Sequence, residues 1–164
     1  MFDRDQPKPK RTYDRKTAKL KAADYCAYQE RSQQQVRDKL YDYGLHQDDV
    51  EEVLTELIME GFINEERFAK AFIGGKFRMK KWGKQKILQS LRPHRLSEYC
   101  IRKGMEEIDP DDYWNALREH AQRKYARLEG NSAYVIKGKL TQHLYNKGFE
   151  ADLIRDVVDE IVKD

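Results

Sequence analysis

At 164 residues, with 39% hydrophobic and 37% charged side chains, the chain can bury a core, yet its charged share far exceeds the usual value of about a quarter. The longest stretch free of Asp, Glu, Lys and Arg is seven residues, 130–136 and again 140–146. A membrane helix needs about 20 mostly apolar residues, so helical spans are excluded. The N-terminus is basic but lacks an apolar segment behind its charges, which excludes a secretory signal and points to the cytoplasm.

In chain order, residues 1–16 hold two prolines and almost no aliphatics, which predicts a disordered basic arm. From residue 17 onward apolar residues recur every three or four positions among Ala, Leu, Glu, Lys, Arg and Gln, which predicts an all-α fold. A first helix is expected over 17–29. Ser32, with Gln35 as capping-box partner, opens a second over 32–43 that Gly44 stops. A third covers 47–60, with the apolar stripe Val50, Val53, Leu54, Leu57 and Ile58. Asn64 opens a helix over 64–79, with Glu65 and Glu66 in its first turn, where the helix dipole favours anions. Helices over 83–92 and 97–108 follow. Asp109 and Pro110 open 110–128, Ser132 and Gly148 bracket 132–147, and a last helix covers 150–163. Cys26 and Cys100 sit in half-apolar helical contexts and read as core thiols.

An internal repeat organises these helices. Leu40, Gly44, Leu45, Val50, Val53, Leu54 and Leu57 match Leu144, Gly148, Phe149, Ile154, Val157, Val158 and Ile161 in spacing. The middle of the chain gives a weaker copy: Leu91, Leu96, Ile101, Met105 and Ile108, with Gly104 where Val53 and Val157 stand. The expected architecture is three tandem three-helix bundles, 17–61, 62–108 and 109–164. Each is too small to hide much core alone, so stacking into an elongated, curved array is expected.

Charge is segregated along the chain. Residues 44–66 carry eight acids and no Lys or Arg, whereas residues 67–103 carry twelve bases and one acid, Glu98. Such a basic run is either a solvated face or a footprint for phosphates or an acidic protein surface. Within it Phe77 and Trp82 interleave with Lys76, Arg78, Lys80, Lys81, Lys84 and Lys86, a mix of attraction for a nucleic-acid backbone and stacking surface. Gly83 reads as the end of the first helix of the middle unit, and the long side chains around it are expected to converge on one rim. Trp82 suits either stacking or an anchor between helices. His46, His94, His120 and His143 share no motif with one another or with a cysteine, and no signature of a metal, nucleotide or nucleophile site occurs. The chain is therefore expected to have no catalytic residue, cofactor or metal.

The segment VLTELIMEGFINEERFAKAFIGGKFRMKKWGKQKILQSL resembles the central signature of the RecX regulatory proteins. The resemblance rests on Glu60, Gly61, Phe62, Asn64, Glu66, Arg67, Phe68, Ala69, Arg78, Gly83, Ile87 and Leu91, and with the preceding Ala-rich helix and the third unit it spans about residues 17–164. It implies a tandem of three-helix repeats without an active site or cofactor. It also implies a negative modulator of the RecA recombinase, which lodges in the groove of the RecA filament on single-stranded DNA and suppresses filament growth, ATPase and strand exchange. Under that reading the chain is a monomer that binds bare single-stranded DNA weakly. Lys76, Arg78, Lys80, Lys81, Trp82, Lys84 and Lys86 are the candidate contacts, and Gly61, Phe62, Arg67, Phe68, Ala69 and Gly83 are structural. The sequence departs from the family at SLRPHRLSEYC, where Pro93 blocks helix continuation. The competing reading is a helical nucleic-acid binder acting without RecA, because the Gly-joined helices resemble a helix-turn-helix.

Overall fold

The computed structural model describes residues 12–163, which form nine α-helices and one 3₁₀ turn, with no strand among the described residues. The helices are α1 (Arg15–Tyr28), α2 (Gln33–Asp42), α3 (Gln47–Met59), α4 (Glu65–Lys80), α5 (Lys84–Leu91), α6 (Glu98–Met105), α7 (Pro110–Ala126), α8 (Ala133–Asn146) and α9 (Ala151–Ile161). Local chemistry sets most starts. Ser32 Oγ accepts the Gln35 N–H at 3.2 Å while Gln35 Oε1 accepts the Ser32 N–H at 2.9 Å, a complete capping box. Ser97, Asp109 and Ser132 cap α6, α7 and α8 in the same way, by accepting first-turn amides.

Three expectations at the ends and stripes are corrected. The arm expected over 1–16 lies outside the described residues as far as residue 11, and its last residues are ordered. Asp14 caps α1 by accepting the Thr17 N–H at 2.8 Å, and Tyr13 donates its N–H to the Tyr43 carbonyl at 2.9 Å with the two rings edge to face. Ile58 leaves the α3 stripe and is exposed, because Val50, Val53, Leu54 and Leu57 already fill the face toward α1 and α2. Cys26 is a core thiol, pushed up in pKa by burial, but Cys100 is half-buried, since α6 is short and buries little beyond Gly104.

The helices group into two compact units, one reaching to Phe68 and a second beginning at Ala69. In the first, α1, α2 and α3 pack pairwise around Ala18, Ala22, Val36, Leu40, Val53 and Leu57. The acids of α3 and its C-cap are largely consumed there: Arg15 pairs with Glu56 at 2.8 Å, Arg37 with Glu51 at 2.8 Å, and Lys19 with the C-cap Glu60 at 2.8 Å. Hydrogen bonds from Arg15 and Lys19 hold the Glu56 carboxyl below the usual range. The second unit contains the middle and last repeats, with α7, α8 and α9 packed pairwise. Arg118 on α7 pairs with Glu160 on α9, repeating the first-to-third-helix tie of repeat 1.

The middle repeat keeps the backbone of the others by different residues. The turn after the second helix requires a left-handed residue in every copy: Gly44 (φ +91°), Arg95 (φ +52°) and Gly148 (φ +96°). Pro93 stands in a 3₁₀ turn, Arg92–His94, that delivers the chain into that position. Core volume is exchanged as well. Repeat 1 buries small Ala22 on α1 and Val53 on α3, whereas repeat 2 buries Ile73 on α4 and Gly104 on α6. A Cβ on Gly104 would fall 2.5 Å from Ile73 Cδ1 and 2.9 Å from the Ala69 carbonyl oxygen, so the larger residue on one helix requires glycine on the other.

Candidate functional site

The basic run centres on residues 81–85, between α4 and α5, and this connection is tied to the last repeat by backbone and side-chain bonds. Gly83 donates its N–H to the Lys147 carbonyl at 2.8 Å, and Gln85 donates to the Gly148 carbonyl at 2.9 Å. Lys84 donates its N–H to the Tyr113 hydroxyl at 3.0 Å, and that hydroxyl in turn donates to Glu150 at 2.9 Å. His120 Nε2–H donates to the Lys81 carbonyl at 2.8 Å, a carbonyl being able only to accept. Phe77, Tyr113, Phe149 and His120 form a chain of ring contacts beneath, with centroids 5.2–6.0 Å apart. Burial pushes the Tyr113 hydroxyl well above its ordinary pKa, so it is a permanent hydrogen-bond relay rather than an acid.

Two expectations about this run change. Gly83 does not end α4. Lys81 takes the left-handed conformation (φ +55°) that closes the helix, and Gly83 is the N-cap of α5 at an ordinary φ of −68°. Glycine is needed there for proximity: a Cβ would lie 2.2 Å from the Gly148 carbonyl carbon. Phe77, expected to interleave with the lysines, is 5% exposed, since it continues the buried line of Ala69 and Ile73 along α4.

The charged side chains divide between two faces rather than converging on one rim. Lys76 and Lys80 lie one turn apart on α4, and the Lys76 and Lys86 ammonium groups stand 5.4 and 4.6 Å from the centroid of the half-buried Trp82 ring. Arg78, about 200° around the helix from Lys76, lies over Gly74 beside Glu107. Lys81 and Lys84 stand against Phe77 and Tyr113 on that second side. Among the described residues none of Lys76, Arg78, Lys80, Lys81, Lys84 and Lys86 is held in an ion pair, in contrast to the acids of α3. The backbone between α4 and α5 is thus held in place, and the cations around it are not neutralised by ion pairs within the described residues.

Apart from Gly83, the structural signature residues lie at the end of α3 and in the first turns of α4. Gly61 adopts φ +81° after α3, and the Arg67 guanidinium bonds the Gly61 carbonyl at 3.0 Å and pairs with Glu30. Phe68 and Ala69 are buried, while Phe62 is 37% exposed.

Models of the first, second and third three-helix domains of RecX match residues 18–57, 64–105 and 111–158. The chain belongs to the RecX regulatory protein family. The regulatory protein RecX of Prosthecochloris aestuarii is 30% identical over 91% of this chain and 96% of its own length. That of Streptococcus uberis is 30% identical over 81% of this chain, which spans only 51% of that longer relative. The crystal structure of RecX from Lactobacillus salivarius superposes with a TM-score of 0.82 at 22% identity, covering 90% of this chain and 96% of that one, which shows the shared fold. The three RecX domains thus coincide with the three helix trios, and the ties through Tyr113 and Gly83 join the second to the third. No helix among the described residues is long and apolar enough to cross a membrane.

Sequence reasoning missed His120 and Tyr113, because nothing in their own neighbourhood marks them; their partners lie 39 and 29 residues away. His120 carries a pH prediction with His94 and His143. Burial holds all three imidazoles below the ordinary value of 6.5, so the folded second unit favours their neutral forms. Protons then bind the unfolded chain more readily. Stability of this unit is expected to be full above pH 6.5 and to fall as the pH drops below it toward the folded-state values. Urea titrations from pH 7.5 to 5 check this; a midpoint that stays constant or rises on acidification through that window contradicts it.

Proposed function

We propose that the chain is a cytoplasmic, monomeric negative modulator of the RecA recombinase, which lodges in the groove of the RecA filament on single-stranded DNA and suppresses filament growth, ATPase and strand exchange. Membership of the RecX regulatory family supports the reading. The observation that carries it is the unpaired basic run held by the Gly83–Lys147, Gln85–Gly148 and Lys84–Tyr113 bonds. A filament groove presents DNA phosphates and protein together, and lysines on a fixed backbone meet them without first being ordered. By spanning neighbouring subunits the chain blocks the relative movement that assembly requires.

The test is RecA-dependent ATP hydrolysis on single-stranded DNA, titrated with the chain and with two charge-reversed variants, one for each face. Lys76→Glu with Lys80→Glu and Lys86→Glu is expected to raise the concentration for half-inhibition by about tenfold, with helicity unchanged. Arg78→Glu with Lys81→Glu and Lys84→Glu tests the opposite side. Full inhibition by both variants removes the basic run from the mechanism. The second reading, a nucleic-acid binder acting without RecA, is separated by salt-titrated binding to bare DNA: a modulator binds it weakly, a DNA reader tightly and with sequence preference.

A further inference from the structure

The junction of the second and third repeats encloses a pocket that neither the helix packing nor the basic run accounts for. It lies within the second unit, between the first two turns of α5 and the α8–α9 turn, and has a volume of about 440 Å³. Its two walls are fastened together, because Gln85 donates its backbone N–H to the Gly148 carbonyl and Gly83 donates to Lys147. They also approach closely: a Cβ on Gly148 would fall 2.4 Å from Lys86 Cβ and 2.5 Å from the Lys86 nitrogen. The cavity therefore exists before any ligand arrives, and its size falls in the range of about 300–1,000 Å³ that suits small ligands.

Amides dominate the lining. Gln85 and Gln89 lie one turn apart on α5, so their exposed side chains share a face, and among the described residues neither side-chain amide has a hydrogen-bond partner. Asn146 uses its Oδ1 to accept from Gln142 Nε2 at 2.9 Å, which leaves its own NH2 to donate. Tyr145, 66% exposed, also lines the pocket, together with the buried Phe149. The two charged lining residues are engaged elsewhere: Glu150 accepts the Tyr113 hydroxyl at 2.9 Å, and the Lys86 ammonium stands over Trp82. What remains free is two amide edges, one NH2 and an aromatic face, which match the edge and the face of a planar, uncharged, polar ring.

Lys86 also fixes where the pocket lies, since the Trp82 ring that it covers belongs to the face carrying Lys76 and Lys80. We infer that the pocket takes an unpaired base of the single strand whose phosphates run along that face. Gln85 and Gln89 bond the edge of the base, Asn146 donates to it, and its ring stacks on Tyr145. This base contact rests on the reading that the basic run meets single-stranded DNA, and it adds recognition of bases to what is otherwise attraction for the backbone alone.

The probes are two dye-labelled strands of about twelve nucleotides, one of mixed sequence and one wholly abasic with the same number of phosphates. Each is titrated with the full chain at low salt by fluorescence anisotropy. The strand with bases is expected to bind about tenfold more tightly than the abasic one. Gln85→Ala with Gln89→Ala, and separately Tyr145→Ala, should reduce that ratio to about two or less, whereas Tyr145→Phe keeps it. These side chains are exposed, so thermal melts should not move, and affinity for the abasic strand, set by its phosphates, stays at the parent's value. Equal affinity of the parent for both strands, or no binding of either up to about 1 mM chain, overturns the inference. So does a ratio that survives either the glutamine pair or Tyr145→Ala, which would place the stacking on Trp82. RecA-dependent ATP hydrolysis separates the two failures: inhibition without base discrimination sinks the pocket alone, and base discrimination without inhibition sinks the modulator reading alone.

Discussion

Gly83→Ala is expected to destabilise the second unit by about 3 kcal/mol or more, at the upper end of what overpacking costs. The added methyl would sit 2.2 Å from the Gly148 carbonyl carbon and 2.3 Å from both the Gly148 oxygen and the Phe149 nitrogen. These are backbone atoms, with no rotamer to move aside. Relief requires the α4–α5 connection to back away from the α8–α9 turn, which breaks the Gly83–Lys147 and Gln85–Gly148 bonds and pulls Lys84 from Tyr113. Both tryptophans, Trp82 and Trp114, lie in this unit, so urea unfolding followed by their fluorescence reads the effect directly. A midpoint unchanged from the parent would show that the turn can slide apart freely, and the basic run would then lose its claim to a fixed backbone.

Sequence displays what local chemistry sets, whereas the requirement for glycine at position 83 is set by a distant contact. Capping and helix stops are local chemistry, so Ser32 with Gln35, Asp109 with Pro110, Ser132, and the left-handed Gly44 and Gly148 were all legible in the residues around them. Gly83 has the same local signature as a stop, but its cause is a backbone 65 residues away, and the left-handed position fell to Lys81 instead. The candidate site was legible to the same depth. A run of bases can be counted in the sequence, but whether charges are already neutralised cannot. The acids of α3 and the bases of the middle repeat looked alike as solvated runs until Arg15 and Lys19, some 40 residues earlier, were found on the acids. Likewise the spacing that puts Phe77 among lysines also continues the Ala69–Ile73 line into the core, and burial of a large ring outweighs its sequence company. The two-faced division of the lysines follows from helix geometry once α4 is known to run to Lys80.

The weak middle copy of the repeat yields the second large effect. Gly104→Val gives repeat 2 the residue that repeats 1 and 3 carry at that position, yet it is expected to cost about 3 kcal/mol. The new side chain would drive into Ile73 Cδ1 and the Ala69 carbonyl. In repeat 1 the valine is tolerated because the residue equivalent to Ile73 is Ala22. Combining Gly104→Val with Ile73→Ala should therefore recover more than half of the loss, although Ile73→Ala alone opens a cavity in a fully buried site and costs about 2 kcal/mol or more. Two substitutions that each destabilise but together restore stability are the non-additivity expected of residues that share one packing space. Urea unfolding of the four proteins of this cycle measures it. Additive losses would mean that the helices meet elsewhere and that the repeat's volume exchange is coincidental. Recovery would establish that the repeats keep one backbone by conserving the summed volume of a helix pair, which is how a copy with so few matching residues retains the three-helix geometry that holds the basic run in place.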